Sequence, residues 1–269
     1  MNELASDKAS DKQAKTTEAK TKQAKTKQAK TKETETKEAR TVQSSDEARA
    51  SIEDRWQPIR SAIPNSVRLV AVTKTFEATI VRAAYELGLR EFGENKVQEA
   101  LEKQEALSDL TDVTWHFIGH VQSNKSRKVV EHFDWIHSVD SLKLAKRFDR
   151  QAAELDKSPK CCLQVKLAPD PTKDGFEIDE LKAVLPELDK LTHIQIRGLM
   201  TILPYGLERA QAIALFERAE ALRASLQQQS WQRLRMDELS MGMSSDFEMA
   251  IAAGATIVRI GSGLFGRRR

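Results

Sequence analysis

Residues 236–266 read MDELSMGMSSDFEMAIAAGATIVRIGSGLFG. Two short apolar runs, 236–243 and 256–263, bracket a helix-forming stretch, 245–253, that stops at Gly254. Strand, helix, strand is the unit that joins parallel neighbours in a sheet. The second run carries Gly261, Gly263 and Gly266 in G-x-G-x-x-G spacing. A dinucleotide fingerprint needs a further helix, a second strand and an acid about 20 residues on. Only Arg267, Arg268 and Arg269 follow, so the match is accidental and the glycines need another reading.

That reading comes from the rest of the chain, where the same alternation recurs. Strand-like runs lie at 67–74, 90–95, 113–119, 135–140, 161–168 and 194–202, which with the two above makes eight. Helical patterns lie between them at 77–87, 141–155, 179–190 and 207–228, and Gly88 and Gly254 suit the position just past a helix end. A leading helix is expected over 46–63, with Ala48, Ile52, Trp56 and Ile59 at helical spacing and Ser45 or Asp46 as its cap. Eight β/α units in roughly 200 residues match an α/β fold, a single (β/α)8 TIM barrel. An open doubly wound sheet, the rival, more often has about six strands. Barrels of this kind bind ligands at the C-terminal ends of their strands, and phosphates commonly after strands 7 and 8.

Composition divides the chain. Residues 1–45 contain no aromatic residue, and repeat Ala-Lys at Ala14-Lys15, Ala19-Lys20, Ala24-Lys25 and Ala29-Lys30. A period of five builds no helix face, so 1–45 is expected to be a disordered Lys/Thr/Ala-rich tail preceding a barrel domain at 46–269. With ten lysines, one arginine and seven acids the tail is +4 against +3 for the whole chain, so the barrel is close to neutral and the composition does not call for nucleic acid. Cys161 and Cys162 are adjacent and would point to opposite faces of a strand, which argues against a disulfide between them. No run of 18 apolar residues and no secretory h-region is present, and the reading is cytoplasmic. The five histidines lack metal-ligand spacing, so no metal site is expected; His116 is read as a hydrogen-bonded barrel residue.

The loops after strands 7 and 8 are rich in glycine and serine. Ser245 and Glu248 have capping-box spacing, which would leave free N–H groups and a positive helix end beside Ser244. Gly261 and Gly263 allow close backbone approach, and Ser262 adds a hydroxyl. Together these make a phosphate cup. Strand parity puts Lys74 with Val70 and Val72, and Arg259 with Ile257, so both cations point into the barrel mouth. A partly desolvated lysine near other positive charge becomes an amine nucleophile. Phosphate cup, lysine and a cation for a ring nitrogen are the parts of a pyridoxal phosphate site.

These residues resemble the pyridoxal phosphate homeostasis proteins, the YggS/PROSC group. The resemblance spans about 50–266 and is carried by LVAVTKT (69–75), FGENKVQEA (92–100), WHFIGHVQSNK (115–125), RGLMTI (197–202), LSMGMSSDFEMAIAAGAT (239–256) and VRIGSGLFG (258–266). It implies a barrel like the N-terminal domain of alanine racemases, and pyridoxal 5'-phosphate held as a Schiff base on Lys74. It further implies Arg259 opposite the pyridine nitrogen. Ser240, Ser244, Gly261 and Ser262 would serve the phosphate, with Asn95 and Met241 lining the pocket. It implies no catalytic residue; the protein would limit free cofactor aldehyde and pass it to recipient PLP enzymes. Lys166, where the family often has Asn, adds a cation whose facing the sequence leaves open.

The alternative is a PLP-dependent amino-acid racemase. An arginine at the ring nitrogen makes a shallower electron sink, and racemisation needs two opposed bases. Tyr85 and Tyr205 are the two tyrosines, with Tyr205 the one near the expected mouth. The chain ends soon after Gly266, without the second racemase domain, which favours a non-catalytic carrier and a monomer. A third possibility is an inert barrel with the tail as a tether.

Overall fold

The computed structural model describes residues 47–170 and 173–266. The expected tail, and the caps Ser45 and Asp46, lie outside the described residues. The chain divides into two units, residues 1–48 and 49–269, and the second holds the fold.

A helix over 47–62, α1, leads into β1, Arg68–Val72. The strands that follow are β2 (Glu91–Glu94), β3 (Thr114–Phe117), β4 (Trp135–Val139), β5 (Lys160–Gln164), β6 (Gln195–Met200), β7 (Glu238–Ser240) and β8 (Ile257–Ile260). Helices alternate with them: α2 (Ala78–Glu86), α3 (Val97–Ala106), α4 (Ser126–His132), α5 (Leu142–Leu155), α6 (Ile178–Leu188), α7 (Arg209–Gln227) and α8 (Phe247–Ala252), with a last turn, α9 (Ser262–Phe265). Every neighbouring strand pair is parallel, and β8 pairs with β1 (Val70 beside Arg259), so the sheet closes into an eight-stranded barrel. The TIM-barrel expectation holds.

Local chemistry accounts for several boundaries. Ser141 Oγ accepts from Leu144 N–H at 3.3 Å and caps α5, a contact worth about 1 kcal/mol. Gly88 and Gly254 follow α2 and α8 with φ of 93° and 99°, in the region open to glycine. The expected capping box at Ser245 and Glu248 does not form. Asp246 is the N-cap instead, and its carboxylate turns back to accept from Met243 N–H at 2.6 Å, so the helix starts at Phe247.

Alternation along each strand sorts side chains into two cores. Val70, Trp135, Cys162, Met200 and Ile257 pack inside the barrel. Ala71, Phe92, Phe117, Ile136, Cys161, Leu163, Leu239 and Val258 point outward into the layer under the helices. Cys161 and Cys162 thus occupy opposite faces, both unbridged. Burial pushes the Cys162 thiol up to about 12 and Cys161 up as well, so both are inert at neutral pH. Among the described residues no helix is long and apolar enough to cross a membrane.

Candidate functional site

A cavity of about 570 Å³ opens where the strands end. Its wall is built from strand termini in turn. Val72 and Lys74 come from the end of β1, Asn95 from β2, Ile118 and Gly119 from β3, Ile202 from β6, Ser244 and Ser245 from the turn after β7, and Arg259, Gly261 and Ser262 from β8 and its turn. Phe76, Met243 and Gly266 complete it. Six of the eight residues expected from the sequence therefore meet at one space: Lys74, Asn95, Ser244, Arg259, Gly261 and Ser262.

Ser240 and Met241 do not reach the cavity wall. Ser240 is fully buried beneath it, where its hydroxyl holds Arg259 Nη1 at 2.6 Å. Met241, one residue on, points outward into the helix layer because side chains alternate along a strand. Lys166 does not line the cavity and pairs with Glu177 at 2.7 Å. Tyr205 is fully exposed, and Tyr85 lies on α2, bonded to Asp112 at 2.5 Å; neither lines the cavity.

Lys74 follows β1 in a turn with unusual backbone support. Thr75 has φ of 69°, a left-handed conformation that costs a β-branched residue roughly 1–3 kcal/mol. Its N–H is held by the Glu99 carboxylate. Beneath it, the ammonium of Lys103 on α3 donates to Thr73 O (2.7 Å), Glu94 Oε1 (2.7 Å) and Glu99 Oε1 (2.8 Å). Three donors meet three acceptors, and Thr73 Oγ1 adds a bond to Glu94 at 2.6 Å. Residues on both sides of Lys74 are thereby clamped to α3.

Arg259 is fixed from two sides, by Ser240 Oγ and by Thr201 O at 2.9 Å. Burial lowers its pKa to about 10, which leaves it charged at neutral pH. Ser244 Oγ accepts from Gly261 N at 3.3 Å and Gly263 N at 3.1 Å, so backbone N–H groups of the final turn converge on one oxygen. Asn95 Oδ1 is buried at the wall with no partner among the described residues. A buried unpaired acceptor is costly and suits a donor brought by a ligand.

The apolar walls, Phe76, Ile118 and Ile202, were not legible as site residues. Each follows a strand that was, and position just past a strand end was the available signal. Gly119 also has a specific reason: a Cβ there would lie 2.3 Å from Asn95 O, so the loops after β2 and β3 can touch only with glycine.

Residues 48–269 match the family model "Alanine racemase, N-terminal domain". A pyridoxal phosphate homeostasis protein of Synechocystis sp. is 51% identical over 213 residues, 79% of this chain and 97% of that protein. PipY of Synechococcus elongatus, whose structure has PLP bound, superposes with a TM-score of 0.77 at 56% identity, covering 80% of this chain and all of that one. An alanine racemase of Clostridium difficile shares the fold at a TM-score of 0.69 and 13% identity, over 81% of this chain and 57% of the racemase. The chain belongs to the alanine racemase N-terminal domain family and, within it, to the pyridoxal phosphate homeostasis proteins.

Proposed function

We propose that the protein binds pyridoxal 5'-phosphate at the barrel mouth, on Lys74, and serves PLP homeostasis without turnover. The observation that carries this is the meeting of Lys74, Arg259 and the Ser244–Gly261–Ser262 cup around one cavity. When bound, pyridoxal phosphate supplies an aldehyde for an amine and an electron-withdrawing ring. The chain's own residues each suit a part of that molecule. Lys74 offers the amine, held by a clamped turn. The Ser244 and Ser262 hydroxyls suit a phosphate, with Ser244 Oγ fixed in place by the amides of Gly261 and Gly263. Asn95 Oδ1 suits a donor on the ligand. Val72, Phe76, Ile118 and Ile202 give the cavity apolar walls that would keep water from a bound ring. Ser240 acts through Arg259.

Arg259 keeps its proton at working pH, so a ring nitrogen placed against it would accept a hydrogen bond and stay uncharged. An uncharged ring is the weaker electron sink, which favours holding over transformation. The placing of Tyr85 and Tyr205 away from the cavity supports a carrier over a racemase, which needs a second base. On this reading the barrel at 46–269 works as a cytoplasmic monomer that passes the cofactor to recipient PLP enzymes.

The test is visible absorption of the protein loaded with pyridoxal phosphate, then borohydride reduction and peptide mass mapping. A pyridoxyl adduct on Lys74, absent in Lys74→Ala, is expected, with no racemisation of alanine or serine at stoichiometric occupancy. An adduct on another lysine overturns the site; racemisation that Lys74→Ala abolishes establishes an enzyme.

A further inference from the structure

The inside of the barrel below the cavity carries a row of polar groups that an apolar filling would have made unnecessary. Arg259 Nη1 lies 2.6 Å from Ser240 Oγ. Ser240 Oγ lies 2.8 Å from His137 Nδ1, and His137 Nε2 lies 2.9 Å from His116 Nδ1. His116 Nε2 lies 2.9 Å from Glu91 Oε2 as a close polar contact, and neither atom has a hydrogen-bond partner of good geometry among the described residues. Both imidazoles and Ser240 are fully buried, and His116 stacks on Trp135 at 5.9 Å between ring centroids. The row spans five strands, from the bottom of β2 through β3, β4 and β7 to β8.

Elementary donor rules give this row a direction. A carboxylate only accepts, so His116 must carry its proton on Nε2 and accept at Nδ1. His137 must then donate from Nε2 and accept at Nδ1, so Ser240 donates its hydroxyl proton to His137. From the other end, a guanidinium only donates, so Ser240 must present a lone pair to Arg259. With both rings neutral the Glu91 end sets the orientation, and the Arg259 end accommodates it, because the hydroxyl keeps a lone pair for the guanidinium while it donates to His137. Burial favours neutral rings, lowering His116 and lowering His137 further, with the charges of Arg259 and Arg68 also disfavouring a proton on His137.

We propose that the Glu91 carboxylate, by its charge beside His116 Nε2, orients a one-way hydrogen-bond chain through His116 and His137 that locks Ser240 as an acceptor for Arg259 and so aims the guanidinium at the ligand ring. His116 and His137 are then positioning residues: they touch no ligand and act on Arg259 through Ser240. Without the acceptor at His137 the Ser240 hydroxyl is buried with nothing to donate to, and its lone pair is no longer held toward Arg259. The inference rests on pyridoxal phosphate as the ligand for its effect on affinity, but the tautomers can be read without any ligand.

The test begins with ligand-free, 15N-labelled protein and long-range imidazole 1H–15N spectra. Both rings should carry the proton on Nε2 with an unprotonated Nδ1; Nδ1–H on either, or an imidazolium, overturns the chain. Glu91→Gln replaces the acceptor-only end by an amide that can also donate, and Glu91 is partly exposed, so the fold should persist. An Nδ1–H population is expected on His116 in that variant; unchanged tautomers together with unchanged pyridoxal phosphate affinity overturn the proposal. In His137→Phe the affinity for pyridoxal phosphate should fall about tenfold, the effect of one unsatisfied buried hydroxyl. Affinity for inorganic phosphate, gripped by the loops after β7 and β8, should stay within about twofold. Equal loss of both, or loss of neither, overturns the positioning role. Wild-type protein that takes up no pyridoxal phosphate would sink the proposed function while leaving the tautomer result standing.

Discussion

Replacing Lys103 by Met should be among the most destabilising single changes outside the cavity. The Lys103 side chain is 6% exposed, and Glu94, its partner at 2.7 Å, is wholly buried. The methionine fills the same space but leaves Glu94 with one hydrogen bond, from Thr73, and an Oε2 that already has no partner. Breaking a buried pair by removing one member costs about 3–5 kcal/mol. Because urea slopes for small proteins run to about 3 kcal/mol per molar, the midpoint of urea unfolding should drop by more than about 1 M. The loss should be uneven with pH. Burial raises the Glu94 pKa above the ordinary carboxyl value, opposed in part by Lys103. Without Lys103 the folded-state pKa rises further, and a carboxyl raised on folding contributes stability that fades as pH climbs through it. The penalty of Lys103→Met should therefore shrink as the solution is acidified. Neutralising the partner as well, in Lys103→Met/Glu94→Gln, should recover at least about 1 kcal/mol over Lys103→Met alone. The assay is urea unfolding followed by tryptophan fluorescence. A single-variant loss under about 1 kcal/mol, or a double variant no better than the single, would refute the claim that this pair clamps the Lys74 turn.

Three further outcomes follow from particular contacts. Burial disfavours a proton on His116 and His137 in the folded protein, whereas both take up protons near the ordinary histidine value of about 6.5 when unfolded, so stability should fall as pH drops through that value. Between pH 7.5 and 5.5 each contributes at most about 1.4 kcal/mol, so urea unfolding at the two pH values should differ by up to about 2.7 kcal/mol, and a flat profile would contradict burial that disfavours the charged rings. Gly119→Ala would set a Cβ 2.3 Å from Asn95 O, so the loop carrying Asn95 must move; we expect pyridoxal phosphate affinity to drop at least about tenfold while the barrel stays folded by circular dichroism. Arg259→Leu leaves Ser240 Oγ and Thr201 O without their donor, which should cost about 1–3 kcal/mol of stability as well as cofactor affinity; a variant as stable as wild type would show that the guanidinium is not held as described.

The eight strands and most helices could be read from the sequence because their signals are local. Alternation between inner and outer faces is a property of consecutive residues, so it correctly paired Lys74 with Val72 and Arg259 with Ile257, and it put Cys161 and Cys162 back to back. The same rule, applied to Ser240 and Met241, would have shown that neighbours cannot both face the cavity. Helix starts were less secure: Ser245 had the right spacing for a cap, but Asp246 won by bonding back to Met243, a competition between two nearby side chains.

Sequence alone determined the repeating unit, the face each strand residue takes, and the small residues of the last two loops. Tertiary structure decided what those residues meet. Ser240 meets His137 across 103 positions, and Thr201 meets Arg259 across 58, because closing the sheet brings distant strands around one axis. Lys103 reaches Thr73 O under the Lys74 turn only once α3 packs beside β2. Periodicity is written in bonds between adjacent residues, whereas convergence depends on register and closure, which arise only when all eight strands pair at once.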